Sequence, residues 1–325
     1  MAMLGKVVPL ENELSKMKNV LILGGSYFAG RVFVEELLKE RAFNIFVFNR
    51  GHVPLKMAGV REIVGNRHYE AQIVDGVPAL DWHAVVDFCG EADEDIVKIL
   101  EYLPGRIFHY IYISTTSIYQ NTRILPVSED APKLSAPQPE LGDYADYAFN
   151  KWLCELRLQI DCPKRGIAYT CLRPAIIYGP YNYAPRETYF FDLIYHSKPV
   201  IIPRNDLPLF NFVYVVDLSK VIQKCLGNHA VFDQAFNVCS EQLISYQRLM
   251  EVFEEVCSKK ISIEMLSVRE IEKRQIPLPF PLDSHLIYSG TKLQRLLGFS
   301  YTPIENGMKS TYEYYKLVQD AKRDS

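Results

Sequence analysis

The feature that most constrains this chain is a regular alternation of short apolar runs with segments of helical periodicity. Residues 19–23 (NVLIL) form an apolar run that is too short for a helix and ends at two glycines. A helical pattern follows it, and residues 44–48 (NIFVF) then give a second apolar run. Together these segments predict one βαβ unit of about 30 residues.

The alternation continues through residues 61–64, 84–88, 93–102 and 107–114. Strands that alternate with helices predict an α/β fold, with a doubly wound parallel sheet covered by helices on both faces. In such a fold, ligands bind at the carboxyl ends of the strands. The side chains that follow each predicted strand are therefore the first candidates for a functional site.

Changes in pattern also divide the chain. Residues 1–17 mix charges into a short apolar stretch and are interpreted as a leader, whereas residues 18–174 carry the strand and helix alternation. Residues 120–143 are rich in proline and polar groups and predict a long loop. Residues 175–325 predict mainly a smaller α+β lobe at the carboxyl end of the sheet. A late segment, residues 212–240, is expected to return to the sheet domain.

Charge balance and cysteine pattern exclude several classes of function. The 325 residues contain 36 Lys and Arg against 39 Asp and Glu, a net charge of −3, so no strong positive field attracts nucleic acid or an anionic membrane. The seven cysteines are widely spaced without a CxxC pair, which predicts reduced thiols and no zinc site. No apolar span of about 20 residues occurs. We therefore expect a cytoplasmic protein that acts on a small molecule, without metal, nucleic-acid or membrane partners.

Three glycines lie between the first predicted strand and the first helix. Gly24, Gly25 and Gly30 sit where a phosphate can accept hydrogen bonds from backbone N–H groups at a helix N-terminus. Tyr27 occupies the position of the central glycine in the usual dinucleotide fingerprint. A tight strand-to-helix turn without a ligand is therefore the alternative interpretation.

The residues after the second predicted strand bear on the choice of nucleotide. An acidic residue that takes the ribose hydroxyls is usual there, but this chain has Asn49 and Arg50. A guanidinium can pair with a ribose 2′-phosphate, which favours NADP over NAD. The alternative is that Arg50 is a solvated turn residue.

Tyr147 and Lys151 are four residues apart in a predicted helix over residues 145–159 and therefore share one helix face. At about 4 Å and an effective dielectric of roughly 20, an ammonium would attract a phenolate by about 4 kcal/mol. Such an attraction would lower a phenol's pKa by about three units from its usual value of about 10, making it a usable base. The alternative is an ordinary amphipathic helix with a snorkelling lysine.

With the glycine turn, hydroxyls at residues 114–117 and the Tyr/Lys pair in this order, the chain resembles the extended short-chain dehydrogenase/reductases, which include nucleotide-sugar epimerases and dehydratases. Residues 172–180 (LRPAIIYGP), 213–217 (VYVVD) and 292–298 (KLQRLLG) extend the resemblance over nearly the whole chain. The GGxxxxG turn is similar to that of an atypical subgroup, variously labelled sugar dehydratase, isoflavone reductase or RNA-binding protein. The resemblance implies a Rossmann fold with an NAD(P)-binding domain over residues 18–174 and a substrate-binding lobe after it.

The resemblance also implies residue roles. Tyr147 would be the acid/base, Lys151 would lower its pKa and bind the nicotinamide ribose, and Thr115 would hydrogen-bond the substrate oxygen. Besides Tyr147 and Lys151, the implied cofactor-binding residues are Gly24, Gly25, Ser26, Tyr27, Phe28, Gly30, Asn49, Arg50, Asn66, Arg67, Phe88, Cys89, Ser114, Arg173, Pro174, Ala175 and Ile176. The candidate substrate residues are Thr116, Ser117, Tyr181, Arg186 and Arg204.

Two departures from the family pattern narrow the function. Thr116 and Ser117 replace the acidic pair of the 4,6-dehydratases, so a dehydratase is disfavoured. Phe210 and residues 279–283 (PFPLD) stand where epimerases usually carry arginines for the diphosphate, which weakens a nucleotide-sugar assignment. Arg186 and Arg204 are candidate replacements.

The resemblance implies an NAD(P)-dependent oxidoreductase or epimerase that acts on a carbinol or carbonyl of a sugar or nucleotide-sugar-like substrate. An epimerase and a reductase share their first half-reaction, so the motifs do not separate them. The alternatives are an NADPH-dependent carbonyl reductase of a non-sugar substrate and a non-enzymatic dinucleotide- or RNA-binding regulator. A homodimer that pairs through the helix of Tyr147 is also expected, although leucines such as Leu158 could instead face the sheet.

Overall fold

The computed structural model describes residues 17–205 and 207–323. All but the last residue of the predicted leader lie outside the described residues. The strands are β1 (Lys18–Leu23), β2 (Phe43–Asn49), β3 (Val60–Val64), β4 (Leu80–Asp87), β5 (Gly105–Ile107), β6 (His109–Ile113), β7 (Ala168–Pro174), β8 (Ile176–Tyr178), β9 (Val200–Pro203), β10 (Phe210–Tyr214), β11 (Gln234–Val238), β12 (Leu243–Ile244) and β13 (Ile263–Leu266).

Helices cover both faces of the main sheet and build most of the smaller lobe. They are α1 (Phe28–Lys39), α2 (Glu70–Gly76), α3 (Asp93–Tyr102), α4 (Tyr147–Lys164), α5 (Glu187–Tyr195), α6 (Val215–Cys225), α7 (Tyr246–Cys257), α8 (Val268–Lys273), α9 (Thr291–Leu297) and α10 (Ile304–Arg323). None of the described helices is long and apolar enough to cross a membrane.

The main sheet is parallel, with strand order β3-β2-β1-β4-β6-β7-β11, and β5 pairs with the beginning of β4. The chain winds outward from β1 in both directions, so the predicted doubly wound α/β sheet is confirmed. The predicted strand over residues 107–114 is divided into β5 and β6. This topology brings the ends of β1, β2, β4 and β6 to one edge.

Strand β1 shows why an almost wholly apolar run is needed in this position. Val20 and Ile22 pack into the core shared with α1 and α6, whereas Leu21 and Leu23 pack into the core shared with α3 and α4. A strand buried on both faces has no place for alternating polar side chains. Leu158 of α4 is buried in the second of these cores and therefore faces the sheet.

The smaller lobe contains the β12-β10-β8 sheet and the β13-β9 pair. Its core is aromatic: Phe190 lies 5.7 Å from Phe253, and Phe210 lies 5.3 Å from Phe280, between ring centroids. Strand β10 ends at Tyr214, because α6 begins at the next residue. Within residues 212–240, β10 joins the small sheet and β11 pairs with β7 in the main sheet.

The long loop predicted over residues 120–143 packs against the chain segment that precedes α9. The Val127 N–H donates to the Ile287 carbonyl at 2.8 Å, and the Ser289 N–H donates to the Val127 carbonyl at 2.9 Å. A short 3₁₀ helix, Pro139–Tyr144, ends the loop just before α4. The loop thus leads directly to the helix that carries Tyr147.

Candidate functional site

A cavity of about 390 Å³ opens at the carboxyl ends of β1, β2, β4 and β6, between the sheet and the smaller lobe. Sequence reasoning directed attention to this edge, and most of the predicted side chains line the cavity. They are Gly24, Gly25, Ser26, Tyr27, Phe28, Gly30, Asn49, Arg50, Asn66, Arg67, Phe88, Cys89, Ser114, Thr115, Tyr147, Lys151, Pro174, Ala175 and Arg186.

The glycine turn lines the cavity. Gly24 and Gly25 have φ values of +93° and +82°, which only glycine adopts without strain. A Cβ on Gly30 would lie 2.7 Å from the Gly25 Cα, so the third glycine lets α1 approach the turn. Helix α1 has no side-chain cap and no acidic residue in its first turn, which leaves its first N–H groups for an anion.

The three candidate catalytic side chains line the same cavity from two elements. Tyr147 and Lys151 occupy the beginning of α4, and Thr115 follows β6. The Lys151 ammonium is buried and donates to the carbonyls of Ile113 at 2.8 Å and Gly90 at 3.1 Å. The Tyr147 side chain is 47% exposed, and its hydroxyl has no hydrogen-bond partner among the described residues. In this structure the ammonium is therefore bonded to backbone carbonyls rather than to the phenol.

Thr115 is held by its own turn. Its Oγ1 accepts a hydrogen bond from the Ser117 N–H at 3.1 Å and donates to the Ser117 Oγ at 3.2 Å. The neighbouring Ser114 is buried at the cavity wall, and its Oγ has no partner among the described residues. A ligand oxygen in the cavity would satisfy that hydroxyl.

The turn after β2 lies beside the glycine turn, where the Gly24 N–H donates to the Phe48 carbonyl at 3.0 Å, and it is shaped by Asn49 and Glu62. The Asn49 amide donates to Glu62 Oε1 at 2.8 Å, and its oxygen accepts from the Gly51 N–H at 2.7 Å. Both Glu62 oxygens also accept from the Leu55 N–H. Arg50 is exposed beside the cavity without a carboxylate partner among the described residues.

Arg67 is among the predicted residues that line the cavity, and it also belongs to a buried ion pair. Its guanidinium is bidentate to Asp87, at 2.8 and 2.9 Å. Burial alone would raise the pKa of Asp87, but the Arg67 charge and its hydrogen bonds hold that pKa below its ordinary value. Burial likewise raises the pKa of the neighbouring Cys89 thiol to about 11, which disfavours a nucleophilic role.

The cavity suits a dinucleotide. The glycines make a cradle that a Cβ would fill, and the buried Ser26 Oγ beside them has no partner among the described residues. The buried Ser114 Oγ, near Lys151, likewise has no hydrogen-bond partner among the described residues. Within the described ranges, no group of three or more His, Cys, Asp or Glu side chains is arranged to hold a metal ion.

Known proteins resemble this chain in sequence and in fold. Residues 95–239 match the model of the NAD dependent epimerase/dehydratase family. The matched segment begins in α3 and ends just after β11. In sequence the chain is 25% identical over 304 residues to the chloroplast stem-loop binding protein of 41 kDa b from Arabidopsis thaliana, which covers 88% of this chain and 75% of that protein.

Solved epimerase structures share the fold. The UDP-N-acetylglucosamine 4-epimerase of Methanobrevibacter ruminantium, in complex with UDP-N-acetylmuramic acid, superposes with a TM-score of 0.73 at 17% identity, over 93% of this chain and 99% of that one. The UDP-glucose 4-epimerase of Thermotoga maritima, with UDP-glucose, gives 0.73 at 18% identity over the same fractions. The NAD complex of the Thermus thermophilus UDP-glucose 4-epimerase gives 0.71 at 17% identity, over 92% and 99%.

Two of the predicted cofactor-binding residues, Arg173 and Ile176, do not line the cavity. The Arg173 guanidinium is buried against Glu155 of α4, with Nη2 2.6 Å from Oε2, and it also donates to the Tyr119 hydroxyl at 2.8 Å. Ile176 belongs to β8 and is registered opposite Phe212 of β10, in the sheet of the smaller lobe. Only Pro174 and Ala175 of that segment reach the cavity.

Two of the predicted substrate hydroxyls also lie off the cavity. Thr116 is buried and its Oγ1 donates to the Pro174 carbonyl at 3.4 Å. Ser117 is exposed and bonded to Thr115. The 3₁₀ turn after Thr115 is the reason, because it directs the next two residues away from the strand axis.

Tyr181 and Arg204 are corrected as well. Tyr181 lies under the Arg31 guanidinium, 4.7 Å from the ring centroid, and its ring packs 4.8 Å from Tyr314. Arg204 donates to the Met265 carbonyl at 3.5 Å, beyond the β9 and β13 pair. Arg186 does line the cavity, where its Nη1 donates to a backbone carbonyl, that of Ile177, at 3.1 Å.

The sequence reasoning missed several residues of the site. His52, His68, Glu91 and Tyr183 line the cavity, and each lies near a predicted site residue in sequence. Asp87 was missed although it is the one charged residue in an apolar strand run, which is a signal for a buried pair. Glu155 of α4 gave a weaker signal, four residues after Lys151 on the same helix face.

Proposed function

We propose that this protein is an NAD(P)-dependent enzyme that oxidises a carbinol, or reduces a carbonyl, of a sugar-like substrate. The observation that carries the proposal is that Thr115, Tyr147 and Lys151 line one cavity with the glycine turn. Chain segments far apart in sequence supply these groups. A fold without this chemistry has no physical need to bring them together.

The glycine turn and the N-terminus of α1 would hold the pyrophosphate, with Ser26 Oγ as a further donor. Arg50 would pair with a ribose 2′-phosphate, which makes NADP the preferred cofactor. Glu62 supports that preference, because its carboxylate already accepts hydrogen bonds from the Asn49 amide and the Leu55 N–H and is not free to bind the ribose hydroxyls. When bound, the nicotinamide ring supplies a site that accepts or donates a hydride.

The chain's own residues would move the proton. Tyr147 would take the proton from the substrate hydroxyl, or return it to a carbonyl oxygen, from its exposed position at the cavity. The Lys151 ammonium would stabilise the phenolate. Thr115 would exchange its hydrogen bond to Ser117 for one to the substrate oxygen, where charge develops.

The substrate is proposed to be sugar-like because the family contains sugar-nucleotide epimerases. Phe210 argues for a substrate that is not held by a pair of diphosphate-binding arginines, because it stands where epimerases usually carry one of them. Phe210 is fully buried in the aromatic core of the smaller lobe. Arg186 lines the cavity, and it is therefore the proposed contact of the smaller lobe with an anionic or hydroxylated substrate.

The test begins with the cofactor. Purified protein is denatured, the released nucleotide is assayed, and NADPH and NADH are titrated into the stripped protein by fluorescence. Stoichiometric bound nucleotide favours an epimerase, whereas an empty site with NADPH-dependent carbonyl reduction favours a reductase. Tyr147→Phe should abolish turnover of either kind and leave nucleotide affinity within about threefold. Absence of NAD(P) binding would reject the proposal.

A second candidate is stem-loop RNA binding, which the name of the Arabidopsis relative favours. The near-neutral charge of this chain argues against it. Filter binding of a labelled RNA stem-loop across a salt series separates the two. Submicromolar affinity with a steep salt dependence would support the RNA candidate.

A further inference from the structure

The position of the Lys151 ammonium depends on two backbone carbonyls. One is Ile113 O at the end of β6, and the other is Gly90 O in the turn after β4, at 2.8 and 3.1 Å. Gly90 O also accepts the Tyr112 hydroxyl at 2.8 Å. Any movement of the Gly90 carbonyl would therefore shift the ammonium relative to Tyr147, one helical turn earlier.

The Asp87 carboxylate holds the Gly90 turn in place. Asp87 Oδ1 accepts hydrogen bonds from the N–H groups of Cys89 at 3.0 Å and Gly90 at 2.9 Å. The turn has little room to shift, because a Cβ on Gly90 would lie 3.1 Å from Asp87 Oδ2 and from the Tyr112 ring. The direction of the Gly90 carbonyl is thus set by Asp87.

Asp87 is itself immobilised. Arg67 binds both of its oxygens, and the Tyr110 hydroxyl donates to Oδ2 at 2.6 Å. Arg67 also donates to the Asp95 carbonyl at 2.8 Å, which ties the pair to α3. Asp87 therefore accepts five hydrogen bonds while fully buried, and it does not line the cavity.

We propose that Asp87 is a positioning residue that places the Lys151 ammonium through the Gly90 turn. The inference rests on the proposed function, because it gives Lys151 its role. Both N–H groups of the turn are bound by the same carboxylate oxygen, Oδ1, so a variant that tests the proposal must remove that acceptor. Asp87→Ala does so, and it should release the turn and free the lysine.

The experiment measures the reactivity of Lys151 in the folded, cofactor-free protein. Acetic anhydride is applied briefly, and mass spectrometry gives the acetylation rates of Lys151 and Lys133. Lys133 is the internal control, because it too is partly buried and donates to a backbone carbonyl, that of Glu129. Losing a hydrogen bond to a charged group costs about 1.5–3 kcal/mol, so Asp87→Ala should raise the Lys151 rate about tenfold or more, with Lys133 unchanged.

Tyr110→Phe is the matched variant, because it removes one of the five hydrogen bonds to Asp87 but leaves both N–H bonds to the turn. We expect less than about a threefold rise in the Lys151 rate. An unchanged Lys151 rate in Asp87→Ala, or an equal rise at both lysines, would overturn the proposal. Because the assay contains no nucleotide, loss of NAD(P) binding would reject the proposed function without affecting this result.

Native-state hydrogen exchange on the wild-type protein covers the case in which Asp87→Ala does not fold. The Cys89 and Gly90 amides should exchange at least about a hundredfold more slowly than those of the exposed loop at Asn121. Equal rates would mean that the carboxylate does not fix the turn, and the proposal would be wrong.

Discussion

Arg173 and Glu155 form a buried ion pair that fastens helix α4 to strand β7, with Nη2 2.6 Å from Oε2 and both side chains almost fully buried. Glu155 lies two helical turns after Tyr147 on the same helix. The Arg173 guanidinium also donates to the Tyr119 hydroxyl, which donates in turn to Asn237 Oδ1. The helix that carries the Tyr/Lys pair is thereby held against the sheet.

Glu155→Ala should lower the free energy of unfolding by about 3–5 kcal/mol, because it leaves the Arg173 charge buried without a partner. Urea denaturation measures the change. Asp93→Ala is the control, since it removes the part-exposed pair of Asp93 with Arg157 and should cost less than about 1 kcal/mol. Equal losses in the two variants would contradict the special weight of the buried pair.

The local pattern of the sequence was sufficient for the fold but not for its buried charges. Residues 19–23 and the glycines after them are read correctly because strand, turn and helix follow one another in the chain. The ion pairs of Arg67 and Arg173 were not predicted, because their partners, Asp87 and Glu155, lie 20 and 18 residues away. Such pairing depends on how elements pack, and no periodicity of one segment records it.

The ends of helices and strands were also predicted less well than their existence, because tertiary packing decides them too. Residues 212–216 (FVYVV) are apolar throughout, so they match a buried strand and a buried helix start equally well. Tertiary packing decides that Val215 begins α6, where it packs against Phe28 and Val32 of α1. Thr116 and Tyr181 were predicted to contact the substrate, but turn geometry directs them away from the cavity. The local sequence pattern does not record that geometry.

Gly30→Ala should weaken NADPH binding by more than about tenfold, because the new Cβ would lie 2.7 Å from the Gly25 Cα and displace the phosphate-binding turn. Fluorescence titration measures the affinity. Gly76→Ala is the control: its Cβ would meet only the Ile63 side chain, at 3.7 Å, and binding should stay within about twofold. Equal affinity of both variants for NADPH would show that the turn does not bind the cofactor.

His109 should make the protein less stable in mild acid. Thr170 Oγ1 donates to the Val231 carbonyl, so the His109 Nε2 at 2.9 Å is assigned as the donor to that hydroxyl, and Nδ1 accepts the Gly227 N–H. The ring is therefore held neutral, and burial lowers its pKa from 6.5 to about 3. Protonation would set an N–H against the Gly227 N–H.

The direction of the pH dependence follows from the protons that the folded and unfolded chains bind at His109. Below pH 6.5 the unfolded chain binds a proton on this ring and the folded protein does not, so stability is complete above pH 6.5 and falls as the pH drops toward 3. His109→Gln should therefore have a pH slope shallower than wild type by up to about 1.4 kcal/mol per pH unit. Urea titrations between pH 6.5 and 4 measure it, with His196→Gln, at an exposed position, as the control that keeps the wild-type slope.

Arg50→Gln should reduce the affinity for NADPH by about tenfold or more and leave that for NADH within about twofold, because a charged hydrogen bond to a 2′-phosphate contributes about 1.5–3 kcal/mol. Parallel fluorescence titrations of the two nucleotides measure the ratio. Arg61→Gln is the control: this guanidinium lies over the Phe46 ring, outside the cavity, and both affinities should hold. If Arg50→Gln weakens NADPH and NADH equally, the residue binds a group that both cofactors share, and the preference for NADP loses its structural basis.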